Sequence, residues 1–328
     1  MTRVLITGAG GFLGKVLVEA LLSRGYAVRA LYHHAGPPLG ESRCEVVTGD
    51  VRDRAAMKAA ATECRAIVHL AGKVHALDEA HSDEQDYEAI NVEGTRHLLE
   101  SAAAAGVRLF IFASSVKVFG ETTCGCVDES RPPAPVTAYA KSKWSAEQLV
   151  HDLARSGGFR SVSLRLPMVY GPTDKGNLFR MIAAIDRGWF PPIPPLASVR
   201  SMLHVGNFTQ AVLRILQADG PLRPCYIVTD GTPYSVTTIY ELLCAGLGKP
   251  VPKWRVPLWL LKAAGGAGDM VHAFTKRPVP LTRAALQKLI EPAWYCSDAI
   301  ARDLGYRPDS SFEETVPELI AFYHQAQR

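Results

Sequence analysis

The 328 residues carry a net charge of only +4, with 48% hydrophobic and 21% charged side chains. These are the proportions of a globular chain with a large core. They argue against a nucleic-acid partner, since no block of lysine or arginine is present. No apolar run reaches the roughly 18–20 residues of a membrane span. The stretch from Val256 to Ala264, broken by Pro257 and Lys262, reads as an amphipathic helix. Seven scattered cysteines, with Cys124-Gly125-Cys126 as the one close pair, offer no second cluster to complete a zinc site, so no metal is expected. The first residues read at once as a strand, without room for a signal peptide, and a cytoplasmic protein with reduced thiols is expected.

The first strand, Val4-Leu5-Ile6, runs into Thr7-Gly8-Ala9-Gly10-Gly11-Phe12-Leu13-Gly14, after which Val16, Leu17, Ala20 and Leu21 recur at helical spacing. Glycines between a strand and a helix let the backbone turn tightly against a pyrophosphate, and the helix start offers that anion free N–H groups. The strand before and the helix after supply the context that dinucleotide binding requires. Ala27 to Tyr32 reads as a second strand, followed by a loop with Gly36, Pro37 and Pro38. Its end is where such a fold reads the adenosine ribose. Tyr32-His33-His34 stands where a carboxylate would favour NAD, so NADP is admitted and His33 is placed to meet a 2′-phosphate. Both histidines being simply solvated is the equal alternative, and the choice of NAD or NADP stays open.

Cys44 to Thr48 forms a third strand ending in Gly49-Asp50-Val51-Arg52-Asp53. Asp50 can accept from the adenine amino group, and Asp53 is placed to cap the next helix. Ala66 to Gly72 is a fourth strand whose small end, Leu70-Ala71-Gly72, lets backbone lie against a cofactor; His69 within it reads as a core residue. Tyr87 to Ala105 reads as one long helix carrying Asn91 and Gly94, and Leu109 to Ala113 as a fifth strand leading into Ser114-Ser115. A proline-rich loop (Pro132, Pro133, Pro135) precedes a helix opening with Tyr139-Ala140-Lys141-Ser142-Lys143, and Val162 to Leu166 is a sixth strand. Alternating strands and helices predict an α/β fold, a doubly wound parallel sheet covered on both faces. Beyond Pro167 proline and glycine become frequent, as in Pro191-Pro192-Ile193-Pro194-Pro195. The expected division is a dinucleotide-binding domain over 1–166, rejoined by 203–229, and a smaller mixed substrate-binding domain of short helices and loops over 167–202 and 230–328.

Tyr139 and Lys143 stand four apart on a helix and share a face. A tyrosine with a pKa near ~10 is a poor base at neutral pH. A neighbouring ammonium and an oxidised nicotinamide ring would favour its phenolate. Ser115, just beyond a strand end, can hold the same substrate oxygen, so the tyrosine moves a proton while the nicotinamide takes or gives a hydride.

Together these residues resemble the extended short-chain dehydrogenase/reductases. The landmarks are Thr7-Gly8-x-x-Gly11-Phe12-x-Gly14, Gly49-Asp50-Val51-x-Asp53, His69-Leu70-Ala71-Gly72, Asn91-Val92-x-Gly94-Thr95, Ser114-Ser115, Tyr139-x-x-x-Lys143 and, near the C-terminus, Leu304-Gly305-Tyr306-x-Pro308. The resemblance implies a Rossmann-type domain, with Ser115, Tyr139 and Lys143 as catalytic residues. It implies cofactor contacts from Gly8, Gly11, Phe12, Leu13, Gly14, His33, Asp50, Val51, Leu70, Ala71, Gly72, Tyr139 and Lys143. The chain looks most like the branch of nucleotide-sugar 4-epimerases and 4-ketoreductases of surface polysaccharide synthesis. In that branch Asn177 and Leu178 would meet a UDP-sugar's uracil, Ser115 its sugar and Arg200 its diphosphate. Val116-Lys117 replaces the acid pair of the related sugar dehydratases, so dehydration is not expected. Pro167-Met168-Val169 departs from the galactose epimerases, and the family's lysine after the fourth strand is shifted, Lys73 and Val74 flanking its place.

The expected reaction is hydride transfer at C4 of a UDP-hexose-type substrate, by an epimerase or a 4-keto reductase. The alternatives are an NADP-dependent reductase of a steroid- or flavonoid-type ketone, and a non-catalytic dinucleotide-sensing regulator. The resemblance also implies a homodimer, for which Leu98, Leu99, Ala102, Trp144, Leu149 and Leu153 are available; core packing would explain them equally well.

Overall fold

The computed structural model describes residues 3–37, 43–74, 84–275 and 282–327. In chain order its elements are β1 (Arg3–Thr7), α1 (Phe12–Ser23), β2 (Ala27–Tyr32), β3 (Cys44–Thr48), α2 (Arg54–Ala61), β4 (Ala66–His69) and α3 (Glu84–Tyr87). A π-helical stretch (Glu88–Glu93) joins α3 to α4 (Gly94–Ala104), followed by β5 (Leu109–Ser115), a 3₁₀ turn (Val116–Phe119), α5 (Ala138–Gly157) and β6 (Arg160–Leu166). Then come β7 (Met168–Tyr170), α6 (Asn177–Asp186), β8 (Val199–Arg200), β9 (Met202–His204), α7 (Val205–Leu216), β10 (Cys225–Ile227) and β11 (Tyr234–Ser235). The chain ends with α8 (Val236–Gly246), α9 (Leu258–Thr275), α10 (Arg283–Ile290), α11 (Asp298–Leu304) and α12 (Phe312–Ala326).

Seven strands form one sheet in the order β3-β2-β1-β4-β5-β6-β10, with every pairing parallel. The expected doubly wound α/β sheet is therefore present. Alternation along β1 explains its two covered faces. Val4 and Ile6 join Leu17, Leu21, Phe208 and Val212 of α1 and α7, whereas Leu5 joins Leu98, Phe110 and Val150 on the side of α4 and α5. Strand order reverses between β1 and β4, and at such a switch point a crevice opens beyond the carboxyl ends of the strands. A third core, containing Tyr170, Ile182, Leu243 and Phe312, gathers α6, α8 and α12 away from the sheet.

Several expectations need correction. The long helix after residue 87 is interrupted by the π-helical stretch, and β4 ends at His69 rather than Gly72. The C-terminal part is not made only of short helices, since α9 has 18 residues and α12 has 15. Leu98, Leu99 and Ala102 are fully buried in the core of this chain and so are not free for a dimer contact. Cys126 and Cys296 are joined by a disulfide, so reduced thiols do not describe that pair; the other five cysteines form no disulfide among the described residues. Pro38, of the loop expected after β2, lies outside the described residues.

The carboxyl end of the sheet is braced by a buried ion pair. Arg165 on β6 holds Glu147 on α5 at 2.8 Å, with both residues almost wholly buried. The Ser114 hydroxyl on β5 donates to the same carboxylate, and the Arg165 guanidinium lies 4.7 Å from the Phe119 ring. Removing one partner of such a pair strands the other charge in a medium that solvates it poorly. Glu147→Gln is expected to lower unfolding stability by about 3–5 kcal/mol, measured by urea denaturation. Replacing Glu147 and Arg165 together with methionine and leucine is expected to recover most of that loss.

Candidate active site

The glycine-rich turn is shaped by the absence of side chains. Gly8 has φ +69°, and a Cβ there would meet Ala71 N at 2.8 Å; one at Gly14 would sit 2.2 Å from the Gly8 carbonyl oxygen. β1 is thus pressed against the end of β4 while α1 folds back onto the turn. Gly11 precedes α1 without a side-chain cap, and the first turn of α1 holds no acidic residue. Its N–H groups and positive dipole end are available to an anion. The Phe12 ring tip approaches Gly171 beyond β7, and Leu13 packs on the core. This cradle fits the pyrophosphate of a dinucleotide.

Thr7, His69 and Thr95 form a buried chain beneath it. Thr95 Oγ1 donates to the Asn91 carbonyl, so it accepts from His69 Nε2 at 3.0 Å; Thr7 Oγ1, at 2.7 Å from Nδ1, then donates to that nitrogen. Thr7 in turn accepts from Leu70 N and Ala71 N, which fixes the turn after β4. Burial, followed by the Lys143 charge, pushes His69 down to about 3, so it is neutral and structural, as the sequence suggests.

At the adenosine end, Asp50 is engaged by two basic side chains. Arg52 Nη2 lies 2.6 Å and His33 Nε2 3.2 Å from its carboxylate. The Arg52 hydrogen bond holds the Asp50 carboxyl well below the usual range. Arg52 was not singled out by sequence reasoning, yet it and His33 both hold the Asp50 carboxylate. Asp53 caps α2 by accepting from Ala55 N at 2.8 Å and Ala56 N at 3.2 Å. Val51 is buried, and a Cβ on Gly94 would strike it at 2.7 Å.

The structure brings Ser115, Tyr139 and Lys143 to the same end of the sheet. The Ser115 Oγ accepts from Lys117 N at 3.2 Å as the cap of the 3₁₀ turn, and its hydroxyl stands close enough to Tyr139 to favour the ionised phenol. Burial pushes the Tyr139 phenol up to about 12, against the Ser115 hydroxyl that lowers it. Lys143 Nζ donates to the Ala113 carbonyl at 2.9 Å, and a Cβ on Gly72 would lie 3.3 Å from it. Burial brings Lys143 down to about 8, with Glu147 opposing.

Two further groups stand here, Asn91, which the sequence marks as a landmark without a role, and Tyr87. Asn91, in the π-helical stretch, accepts from Lys73 N at 2.7 Å and donates to the Lys73 carbonyl and to Ser142 Oγ, joining the turn after β4 to α5. Tyr87 lies 6.1 Å from the Tyr139 ring, with a buried hydroxyl that has no hydrogen-bond partner among the described residues. The shifted Lys73 stands 5.2 Å above the Tyr87 ring and pairs with Asp86 at 2.5 Å.

Arg200 is partly buried among Glu291, Tyr295 and Glu121; its Nη2 donates to the Glu291 carbonyl at 3.1 Å, and burial lowers its pKa. Glu121 in turn pairs with Lys117 at 2.5 Å, two residues beyond Ser115, which links the surroundings of Arg200 to the loop after Ser115. Leu178 instead packs into the third core and Asn177 is exposed at the start of α6. Among the described residues no hydrogen bond joins either to the Ser115 group.

Residues 4–225 match the profile of the NAD dependent epimerase/dehydratase family. The chain belongs to that family. It is 30% identical over 284 residues to a UDP-glucose 4-epimerase of Vibrio cholerae, covering 83% of this chain and 85% of that one. It is 28% identical to a 4-hydroxy-2-methyl-3-oxo-4-farnesyl-3,4-dihydroquinoline-1-oxide ketoreductase of Stigmatella aurantiaca, over 93% and 91% of the two chains. The fold matches a UDP-glucuronic acid 4-epimerase of Bacillus cereus, solved with UDP-glucuronic acid and NAD, at TM-score 0.79 and 21% identity, covering 99% and 100% of the chains. The family member described here is an NAD(P)-dependent enzyme of the epimerase and oxidoreductase type.

Gly14→Ala is expected to displace the turn at a cost of about 1–3 kcal/mol and to weaken dinucleotide binding more than tenfold. Thermal unfolding and calorimetric titration with NAD and NADP check the two effects separately.

Proposed function

We propose that the protein interconverts or reduces a nucleotide sugar at C4, with Ser115, Tyr139 and Lys143 as the catalytic residues and a UDP-hexose as the substrate class. The observation that carries this reading is the meeting of α5 and the carboxyl end of β5, where Lys143 Nζ donates to the Ala113 carbonyl and Tyr139 stands beside Ser115. The glycine turn, Asp50, Val51 and Leu70–Gly72 would hold the dinucleotide, which supplies a hydride acceptor or donor. As C4 gives up hydride, Tyr139 takes the proton of the 4-hydroxyl, leaving a 4-keto sugar. In the reverse direction Tyr139 returns that proton to the oxygen as hydride arrives at C4. Ser115 orients the oxygen. The Lys143 ammonium offsets the burial that otherwise holds Tyr139 protonated, and a bound oxidised nicotinamide would add to that effect.

Arg200 would meet the substrate diphosphate, with Asn177 and Leu178 nearer the base, and residues 167–202 and 230–328 form the substrate-binding part in this reading. A homodimer is part of the proposal, with the partly exposed Trp144, Leu149 and Leu153 of α5 as its contacts. The location we infer is cytoplasmic. A second reading, reduction of a non-sugar ketone, is favoured by the end of β2, where Tyr32-His33-His34 brings no carboxylate of its own to bar the 2′-phosphate of NADP.

The decisive experiment denatures freshly purified protein and identifies the nucleotide released. Near-stoichiometric NAD⁺ is expected for an epimerase, and an empty protein that binds NADPH for a reductase. Tyr139→Phe is expected to reduce turnover at least a hundredfold; full turnover would refute the mechanism and leave a sensing role. Arg200→Ala is expected to abolish work on UDP-sugars, whereas an apolar ketone would still be reduced. Because Lys143 is a cation only below about pH 8 in the free protein, nucleotide affinity is expected to fall as pH rises through that value. Lys143→Met is expected to remove the dependence.

A further inference from the structure

Helix α9 turns an apolar face to solvent. Leu261, Gly265 and Gly268 are buried, Leu261 in the third core and Gly265 against the backbone of α10. The opposite side should carry charge in a water-exposed helix. Instead Trp259, Leu260, Ala263, Ala267, Met270 and Val271 are all exposed. At 3.6 residues per turn they fall on one arc of roughly 120°, with Lys262 and Asp269 outside it. Trp259 is 69% exposed, and Trp254, shortly before the helix, is 64% exposed. Trp189 joins the same region at 75% exposure, because Val256 N bonds to the Pro192 carbonyl and Lys249 pairs with Asp186. Of the large hydrophobic side chains exposed among the described residues, only Val74 and Val136 lie outside residues 189–294.

The charges beside this face are mainly positive. Between residues 249 and 275 stand Lys249, Lys253, Arg255 and Lys262 against the single acid Asp269. Lys249 pairs with Asp186 and Arg255 with Glu241, whereas among the described residues Lys253 and Lys262 have no ion-pair partner. Arg187 lies 5.7 Å from the Trp189 ring. Exposed tryptophans beside an apolar helix face, rimmed by lysine and arginine, match the chemistry of a bilayer interface. There indole rings sit at headgroup depth and cations meet anionic lipid. No helix among the described residues is long and apolar enough to cross a membrane.

We propose that the exposed face of α9, with Trp189 and Trp254, docks this enzyme on the surface of an anionic lipid bilayer. The helix lies in the interface plane, and Lys253 and Lys262 contact the headgroups. A second copy of this chain is the competing occupant, and the charge asymmetry favours lipid over a self-complementary contact.

The test is flotation of the full chain with vesicles of phosphatidylcholine alone or with a quarter phosphatidylglycerol. Expected are flotation with the anionic vesicles, weakening in high salt, a blue shift of tryptophan emission, and at least a tenfold loss of binding in Trp259→Glu/Val271→Glu. Thermal unfolding checks that the variant folds. Should it not fold, quenching of wild-type tryptophan by brominated lipid decides, and its absence overturns the proposal. The proposal also fails if the wild-type protein floats with neither vesicle, if the folded variant floats as well as wild type, or if the substitutions only dissociate an oligomer seen by sedimentation.

Discussion

Glu147 has no contact with solvent, and three elements depend on that burial. Its carboxylate takes the Ser114 hydroxyl from β5 and the Arg165 guanidinium from β6 while standing one helical turn beyond Lys143. A buried charge tolerates little displacement, because every ångström lost from its partners is paid in desolvation. The pair therefore fixes the rotation of α5 about its axis. With α5 fixed, Tyr139 reaches Ser115, the neighbour of Ser114, and Lys143 reaches the Ala113 carbonyl beneath Gly72. The apolar core holds α5 to the sheet; the ion pair sets its register.

Burial also sets the proton states along the crevice. His69 is kept neutral, Lys143 is brought near physiological pH and Tyr139 is held protonated. A protonated tyrosine suits delivery of a proton to a carbonyl, and added positive charge nearby suits removal of one from an alcohol. The same side chain can thus serve either direction of a redox step, depending on what lies beside it.

Much of this was legible in the sequence. Apolar runs bounded by glycine marked β1, β2 and β3, and the four-residue spacing of Tyr139 and Lys143 placed them on one face. The π-helical stretch was not legible, because six residues bonded i→i+5 barely disturb a helical hydrophobic pattern. Glu147 and Arg165 stand 18 residues apart on a helix and a strand, and neither one's local sequence announces the other. Helix α9 gave only a partial signal because it is apolar on most sides, with paired glycines in its middle. The packing of Leu178 on the third core was not legible either, because that core is assembled from residues scattered between 168 and 323.

The extended segment 292–296 serves both halves of the site. On one side Val127 N bonds to the Trp294 carbonyl, Cys296 N bonds back to the Val127 carbonyl, and the disulfide closes the same seam. On the other, Ala293 exchanges backbone bonds with Val199 and Ser201 on either side of Arg200, while Tyr295 stacks 6.2 Å from Phe119. The segment works as a splint between the loop after Ser115 and the strand that bears Arg200. It lies far beyond residue 225, where the family match ends. A fragment cut at that point would retain every glycine of the turn with Ser115, Tyr139 and Lys143, yet it would lose the segment that pairs with the strand of Arg200 and with the loop after Ser115.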